Sequence, residues 1–373
     1  MAERLAQLCL DLCAIPSVTG DEARLCGMIA ARFADAPWTS SRVGNALAVR
    51  GPPRGRPLLC LVGHTDTVPP AADGPYAQRD ANGDLPAWRQ GDRLHGLGAS
   101  DMKSGLAVML ALAEALDPTA LPWDLGLVFY DREEGPYDDN GLEPLLDAVP
   151  WIAQSSLAVL LEPSQDVAML GCLGCLHGWV RFEGRAAHSA RSWLGENAVH
   201  KAGAFISAVA QQAPRHVGIG GLDYVETVGI TLARGGRARN VVPDSFELNL
   251  NFRFAPDRTL AQAESWLIRF VDEASGGRAT LTIHDRAPAG PVDAEHPAVR
   301  HYLAHTGVAV QPKLGWTDVA RLSLRGIPCV NHGPGLAAQA HQAQEHTDLA
   351  PLLGTYGRLR ALLEAPPPPG IGG

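Results

Sequence analysis

Apolar and polar positions follow two different rhythms along this chain. Over the first half, short apolar runs recur: Ala46-Leu47-Ala48-Val49, Leu58-Leu59-Cys60-Leu61-Val62, Leu125-Gly126-Leu127-Val128-Phe129-Tyr130 and Leu157-Ala158-Val159-Leu160-Leu161. Each has the length of a buried strand and is too short for a helix. Helical spacing fills the intervals. Residues 3–14 place Leu5, Leu8 and Leu12 on one face and stop at Pro16. A second helix is expected over 22–34, with Thr19-Gly20-Asp21-Glu22 as its start signal. A third, over 104–116, follows the glycine-rich stretch 96–105; that stretch lacks the Lys-Ser/Thr ending and the preceding strand of a phosphate loop. Residues 70–95 are rich in Gly, Pro and Asp and read as loop. Strands alternating with helices predict a doubly wound α/β sheet.

After about residue 175 the period drops to two. Trp179-Val180-Arg181-Phe182-Glu183 and Asn249-Leu250-Asn251-Phe252-Arg253-Phe254 alternate as half-exposed antiparallel strands do. With helices at 196–212 and 258–273 and strands near 225–233 and 279–283, the order is β-α-β-β-α-β, the ferredoxin-like pattern. The chain therefore predicts an α/β domain made of 1–175 and 288–373, interrupted by an α+β insert over 176–287. The helix and strand texture returns after 288, with a strand at 327–331 and a last helix over 349–364. The proline-rich tail from about 366 cannot be helical and is expected to be disordered.

Composition narrows the function classes. A length of 373 residues suits two domains. With 46% apolar and 19% charged residues the chain resembles a soluble globular protein, and it holds no run of 18 apolar residues for a membrane span. The first six residues carry an acid and no apolar signal core, which predicts a cytoplasmic location. A formal net charge of −9 argues against a nucleic-acid partner. Seven cysteines scattered through apolar segments fit buried thiols better than a disulfide framework. Cys172 and Cys175 have CxxC spacing, with no second pair and no following histidine.

Three of the apolar runs end in reactive side chains. The first leads into Gly63-His64-Thr65-Asp66-Thr67-Val68-Pro69, the second into Asp131-Arg132-Glu133-Glu134-Gly135, the third into Glu162-Pro163. Strand ends are where open α/β sheets bind ligands. Alone, His64 and Asp66 are equally an ordinary solvated turn pair. Their spacing also suits a metal-ligating imidazole oriented by a carboxylate. His64, Asp101, Glu134, Glu162 and one C-terminal histidine give two imidazoles and three carboxylates, a set for divalent ions and zinc above all. They are too many for one catalytic zinc. With one carboxylate bridging, they would serve two ions about 3.5–4 Å apart, a hydrolytic arrangement.

On these motifs the chain resembles the M20 family of co-catalytic zinc amidohydrolases and peptidases, along nearly its whole length. Gly98-Ala99-Ser100-Asp101-Met102-Lys103-Ser104-Gly105, Ala187-His188-Ser189, Gly235-Gly236 and Asn240-Val241-Val242-Pro243-Asp244 match as well. The resemblance implies a zinc-peptidase-like α/β/α catalytic domain with an inserted dimerisation, or lid, domain, and a homodimer. It implies that His64 and Glu162 hold one zinc, that Glu134 and the C-terminal histidine hold the other, and that Asp101 bridges them with a cis peptide after it. Cobalt is the alternative metal. Asp66 would orient His64, and Glu133 would be the general base. His332, His341 and His346 are all available as the last ligand. The family pattern of a ligand histidine followed four residues later by glutamate favours His341, with Glu345. His188, from the partner subunit, would stabilise the oxyanion, and Asn240 and Arg253 would contact substrate.

Within the family, residues 187–198, 251–257 and 315–321 resemble the actinobacterial-type branch that hydrolyses N-succinyl-L,L-2,6-diaminopimelate in lysine and peptidoglycan precursor synthesis. A substrate with three carboxylates calls for arginine and hydroxyl groups, and Arg191, Arg253 and Thr317 are the candidates. The better-known branch with that activity carries a basic residue at the Cys172 position and a serine near Cys175; neither is present here. The alternatives are another deacylase or peptidase of the family, such as one acting on acetylornithine or a carboxypeptidase-like member, and a non-catalytic binding module on the same scaffold.

Overall fold

The computed structural model describes residues 1–35 and 37–371. The chain packs as two compact units. One comprises Met1–Gly171, Asp293–Gln311 and Thr317–Gly373; the other comprises Cys172–Val292 and Pro312–Trp316.

The first unit is built on an eight-stranded sheet. Its strands lie in the order Thr39–Val43, Ala46–Arg50, Asp124–Tyr130, Leu58–His64, Ser155–Pro163, Cys329–Gly333, Ala168–Leu170 and Val310–Pro312. The four from Asp124–Tyr130 to Cys329–Gly333 pair in parallel. Leu58–His64 and Asp124–Tyr130 are buried at every position, as continuous apolar runs require. Helix Ser104–Ala115 packs against the helices Ala2–Ala14 and Leu349–Glu364 and against the strands Leu58–His64 and Ser155–Pro163. It sits close to the sheet because of Gly105. A Cβ there would come within 2.5 Å of the Leu161 carbonyl oxygen. Residues 365–371 are not helical, and Ile371 is buried; the last two residues of the tail lie outside the described residues.

Two expectations need correction in this unit. The second helix covers only Ala23–Ala31 and has no side-chain cap. Thr19, expected at its start, donates its hydroxyl to Asp66 Oδ2 at 2.9 Å instead. Residues 70–95 are not all loop. Trp88–Gln90 and Arg93–His95 form a hairpin that pairs with His346–Asp348 in a three-stranded sheet. These strands are short and largely exposed, and their third partner is remote in sequence, so no local periodicity announces them.

The second unit is an antiparallel five-stranded sheet in the order Arg215–Ile219, Leu222–Gly235, Ser245–Phe254, Gly174–Glu183 and Ala279–Ala287. Alternate residues Leu176, Val180, Phe182, Leu248, Leu250 and Phe252 form its core with Ala202 and Phe205 of helix Ala198–Gln211 and Leu267 and Val271 of helix Leu260–Ser275. Asn197 caps the first helix by accepting from Val199 N and His200 N; a Thr259–Gln262 capping box starts the second. The β-α-β-β-α-β order is present with one extra edge strand, Arg215–Ile219. The unit begins at 172 and ends at 292 rather than at 176 and 287, and it also takes up Pro312–Trp316. The seven cysteines are all buried free thiols. Among the described residues, no helix is long and apolar enough to cross a membrane.

Replacing Gly105 by alanine tests the close approach of helix and strand. Alanine favours a helix by about 1 kcal/mol over glycine, but here its methyl meets a backbone oxygen. The expected outcome is a net loss of about 1–3 kcal/mol from overpacking, measured by urea unfolding. An unchanged or higher unfolding free energy would contradict that packing.

Candidate metal centre

Parallel pairing brings the C-terminal ends of the four central strands to one edge of the first unit's sheet. His64 is the last residue of its strand and is 1% exposed. Its Nδ1 lies 3.1 Å from the Asp66 carbonyl oxygen and 3.5 Å from Asp66 Oδ1. The carbonyl is the closer acceptor, so Nδ1 is assigned the proton and Nε2 is left to bind. Nε2 is 3.0 Å from Asp101 Oδ1 and 3.9 Å from Glu162 Oε1.

Asp66 does more than orient the imidazole. Its buried carboxylate accepts from Glu133 N on Oδ1 and from Glu134 N on Oδ2, both at 3.0 Å, and from the Thr19 hydroxyl. Burial alone would push the Asp66 carboxyl up. His64 and the two amides outweigh it and hold the group below its usual value. The carbonyl of Asp66 thus fixes His64, and its carboxylate fixes the turn that carries Glu133 and Glu134.

Asp101 sits in the turn Ala99–Lys103 ahead of helix Ser104–Ala115, and the Asp101–Met102 peptide is cis. Glu345 holds that turn: its carboxylate accepts from Gly98 N at 2.8 Å and from Ser100 N and Asp101 N at 2.9 Å. His341 Nε2 lies 2.9 Å from Glu134 Oε1 and 3.8 Å from Asp101 Oδ2. The other two C-terminal histidines are engaged elsewhere. His332 is buried, hydrogen-bonded to the Tyr302 hydroxyl, and 2.9 Å from Asp166 Oδ1. His346 packs on His95.

Two donor trios result, His64–Asp101–Glu162 and Asp101–Glu134–His341. Within each, the donor atoms lie within 4.8 Å of one another, and Asp101 belongs to both. Imidazole and carboxylate donors in two overlapping sets fit two divalent ions with Asp101 between them. His64, Glu133 and Glu134 form a third grouping, but it omits Asp101 and Glu162. The Glu133 carboxyl is pushed well above its usual range by burial; Glu162 and Glu134 add to this, and His64 opposes it.

The remaining candidates are placed as follows. In the second unit, His188 precedes the exposed turn Ser189–Leu194, which carries Arg191. Ala190 N donates to His188 Nδ1 at 3.1 Å, and Ser189 N donates to the Asn240 carbonyl at 2.9 Å. His188, Arg191 and Asn240 are therefore neighbours. Arg253 lies on strand Ser245–Phe254, half-buried, and its Nε donates to Asn251 Oδ1 at 3.3 Å. Thr317, in the first unit, is buried and donates its hydroxyl to Asn331 Oδ1 at 2.9 Å. Sequence reasoning placed Thr19 at a helix start and gave neither it nor Glu345 a role in the site. Glu345 was visible only as the glutamate four residues after His341.

The model of Peptidase family M20/M25/M40 matches residues 60–365. The chain is 38% identical over 361 residues to a putative succinyl-diaminopimelate desuccinylase of Mycobacterium tuberculosis, covering 96% of this chain and 97% of that one. It is 35% identical over 364 residues to the succinyl-diaminopimelate desuccinylase of Corynebacterium glutamicum, covering 92% and 93%. Among solved structures, an M20 family metallo-carboxypeptidase from Sulfolobus solfataricus superposes with a TM-score of 0.77 at 16% identity, over 98% of this chain and 100% of that one. A dinuclear metal-binding peptidase of the M20 family from Bacillus subtilis gives 0.68 at 17% identity, over 97% and 98%. At these identities the structural likeness is one of fold.

A pH dependence of metal uptake follows from the Glu134–His341 bond. That bond holds His341 up to about 9, against the opposing effect of burial. Below that pH an arriving ion must displace the imidazole proton. Affinity is therefore expected to rise with pH, by up to about tenfold per unit below about 9, and to level off above it. Calorimetric zinc titration of the metal-free chain between about pH 6 and pH 8 measures this. A flat profile would contradict His341 as a binding group.

Proposed function

The chain belongs to Peptidase family M20/M25/M40, and from that premise we propose that it hydrolyses N-succinyl-L,L-2,6-diaminopimelate to succinate and L,L-2,6-diaminopimelate. It is a hydrolase of lysine and peptidoglycan precursor synthesis. Likeness over nearly the full length to two desuccinylases supports the substrate. The observation that carries the reaction class is Asp101, shared by two donor trios at a strand edge.

His64, Asp101 and Glu162 would hold one divalent ion, and Asp101, Glu134 and His341 the other; zinc is the preferred metal and cobalt the alternative. Two such ions would supply a Lewis acid for the scissile carbonyl and lower the pKa of the attacking water. Glu133 takes the water proton on a carboxylate oxygen and returns it to the leaving amine. Asp66 keeps Glu133 and Glu134 in register by accepting both of their amides.

His188 supplies a donor for the oxyanion. Its Nδ1 accepts from Ala190 N, so the ring proton resides on Nε2, where it can be offered. Arg191, Asn240, Arg253 and Thr317 are the proposed substrate contacts. Both arginines suit a substrate with several carboxylates. The insert, 176–287 as read from sequence, is the dimerisation or lid domain. A free sheet edge supports a homodimer: in strand Leu222–Gly235, Arg215–Ile219 pairs with 222–226 only, so among the described residues 227–235 have a neighbour on one side. Leu232 on that edge is exposed. The location is cytoplasmic.

Three measurements test this reading. With zinc or cobalt added, the chain should hydrolyse succinyl-diaminopimelate faster than acetylornithine; the reverse order would contradict the substrate. Glu133→Gln should keep both metal equivalents and lower kcat by about 100- to 10,000-fold, the usual worth of a general base. Lost metal with activity intact would contradict its role. Gel filtration should give the dimer mass, and a monomer would contradict His188 acting in trans.

A further inference from the structure

Glu345 is 2% exposed, and its carboxylate accepts three backbone amides of one turn: Gly98 N on Oε2, and Ser100 N and Asp101 N on Oε1. The main chain around it reaches the same turn. Gly96 N donates to the Glu345 carbonyl at 3.3 Å, and the Ser100 hydroxyl donates to the His346 carbonyl at 2.6 Å. Hydrogen bonds to a charged acceptor are the strong ones, and burial removes the water that would compete for them.

The two donor trios hold Asp101 differently. In the first, the donor atoms His64 Nε2 and Asp101 Oδ1 are already 3.0 Å apart. In the second, His341 Nε2 lies 2.9 Å from Glu134 Oε1, but Asp101 Oδ2 and His341 Nε2 are 3.8 Å apart, beyond direct hydrogen-bond reach, and the His341 side chain is half exposed. What sets the distance between these two residues must come from outside them. Glu345 lies four residues after His341 and bonds the amide of Asp101 itself.

We propose that Glu345 is a positioning residue that clamps the 98–101 turn to the loop carrying His341, and so sets the separation of Asp101 and His341 in the second trio. The proposal rests on the two-ion reading of the site. Its consequence is an asymmetry: loosening the clamp weakens the second ion while the first, held through the His64–Asp101 contact, stays.

Calorimetric zinc titration of metal-free wild type, E345Q and E345A tests this, with far-ultraviolet circular dichroism to show that each chain is folded. Glutamine keeps an acceptor for Ser100 N and Asp101 N but turns an amide toward Gly98 N; alanine removes all three acceptors. The expected result is a second equivalent bound about 10- to 100-fold more weakly in E345A, the usual range for partners that orient metal-binding groups. E345Q should fall between E345A and wild type, with the first equivalent unchanged in both. If E345A does not fold, E345Q carries the comparison. Two equivalents at wild-type affinity in the folded variants would overturn the proposal, as would equal weakening of both, which marks a merely structural role. Wild type taking up fewer than two equivalents would instead overturn the two-ion reading on which the proposal rests.

Discussion

In the first unit the strands Asp124–Tyr130, Leu58–His64, Ser155–Pro163 and Cys329–Gly333 hydrogen-bond in parallel, so each delivers its last residues to the same edge. The site depends on that geometry. Parallel strands need crossovers, and the crossovers here bring helix Ser104–Ala115 and the turn ahead of it over the same sheet. The result is a gathering of like charges. Asp66, Asp101, Glu133, Glu134 and Glu162 come together beside two histidines, and their mutual repulsion opposes the fold that assembles them. Backbone amides relieve part of it, at Asp66 and at Glu345. Divalent ions would relieve the rest, which couples metal uptake to stability.

The second unit meets a different demand. Its alternating strands bury one face under two capped helices, which leaves the turns free to carry exposed polar groups. His188, Arg191 and Asn240 lie on such turns, held by backbone hydrogen bonds rather than by burial. That arrangement suits residues that meet a substrate. Among the described residues the stretch 227–235 pairs on one side only, and it is the edge that the proposed homodimer would use.

Much of this was legible in the residues. The buried strands were readable because continuous apolar runs of strand length have few other uses, and the charged residues that end them marked the site. The final helix, Leu349–Glu364, follows its periodicity to the residue. What escaped was tertiary. Thr19 looks like a helix start by local rules, yet its hydroxyl is drawn to Asp66, 47 residues away in sequence. Trp88–Gln90 and Arg93–His95 are too short and too exposed to carry a pattern. Glu345 reaches an amide 244 residues earlier, and nothing in its own neighbourhood announces that. Thr317 reads as a hydroxyl for substrate, and the structure buries it with its hydroxyl donated to Asn331.

The central claim is that Asp101 stands between two ions, one held with His64 and Glu162, the other with Glu134 and His341. Crystals of the zinc-loaded chain, measured on both sides of the zinc absorption edge, test it most directly. The account predicts two anomalous peaks about 3.5–4 Å apart, with one Asp101 carboxylate oxygen on each. A single peak, or a pair that does not share Asp101, would contradict it.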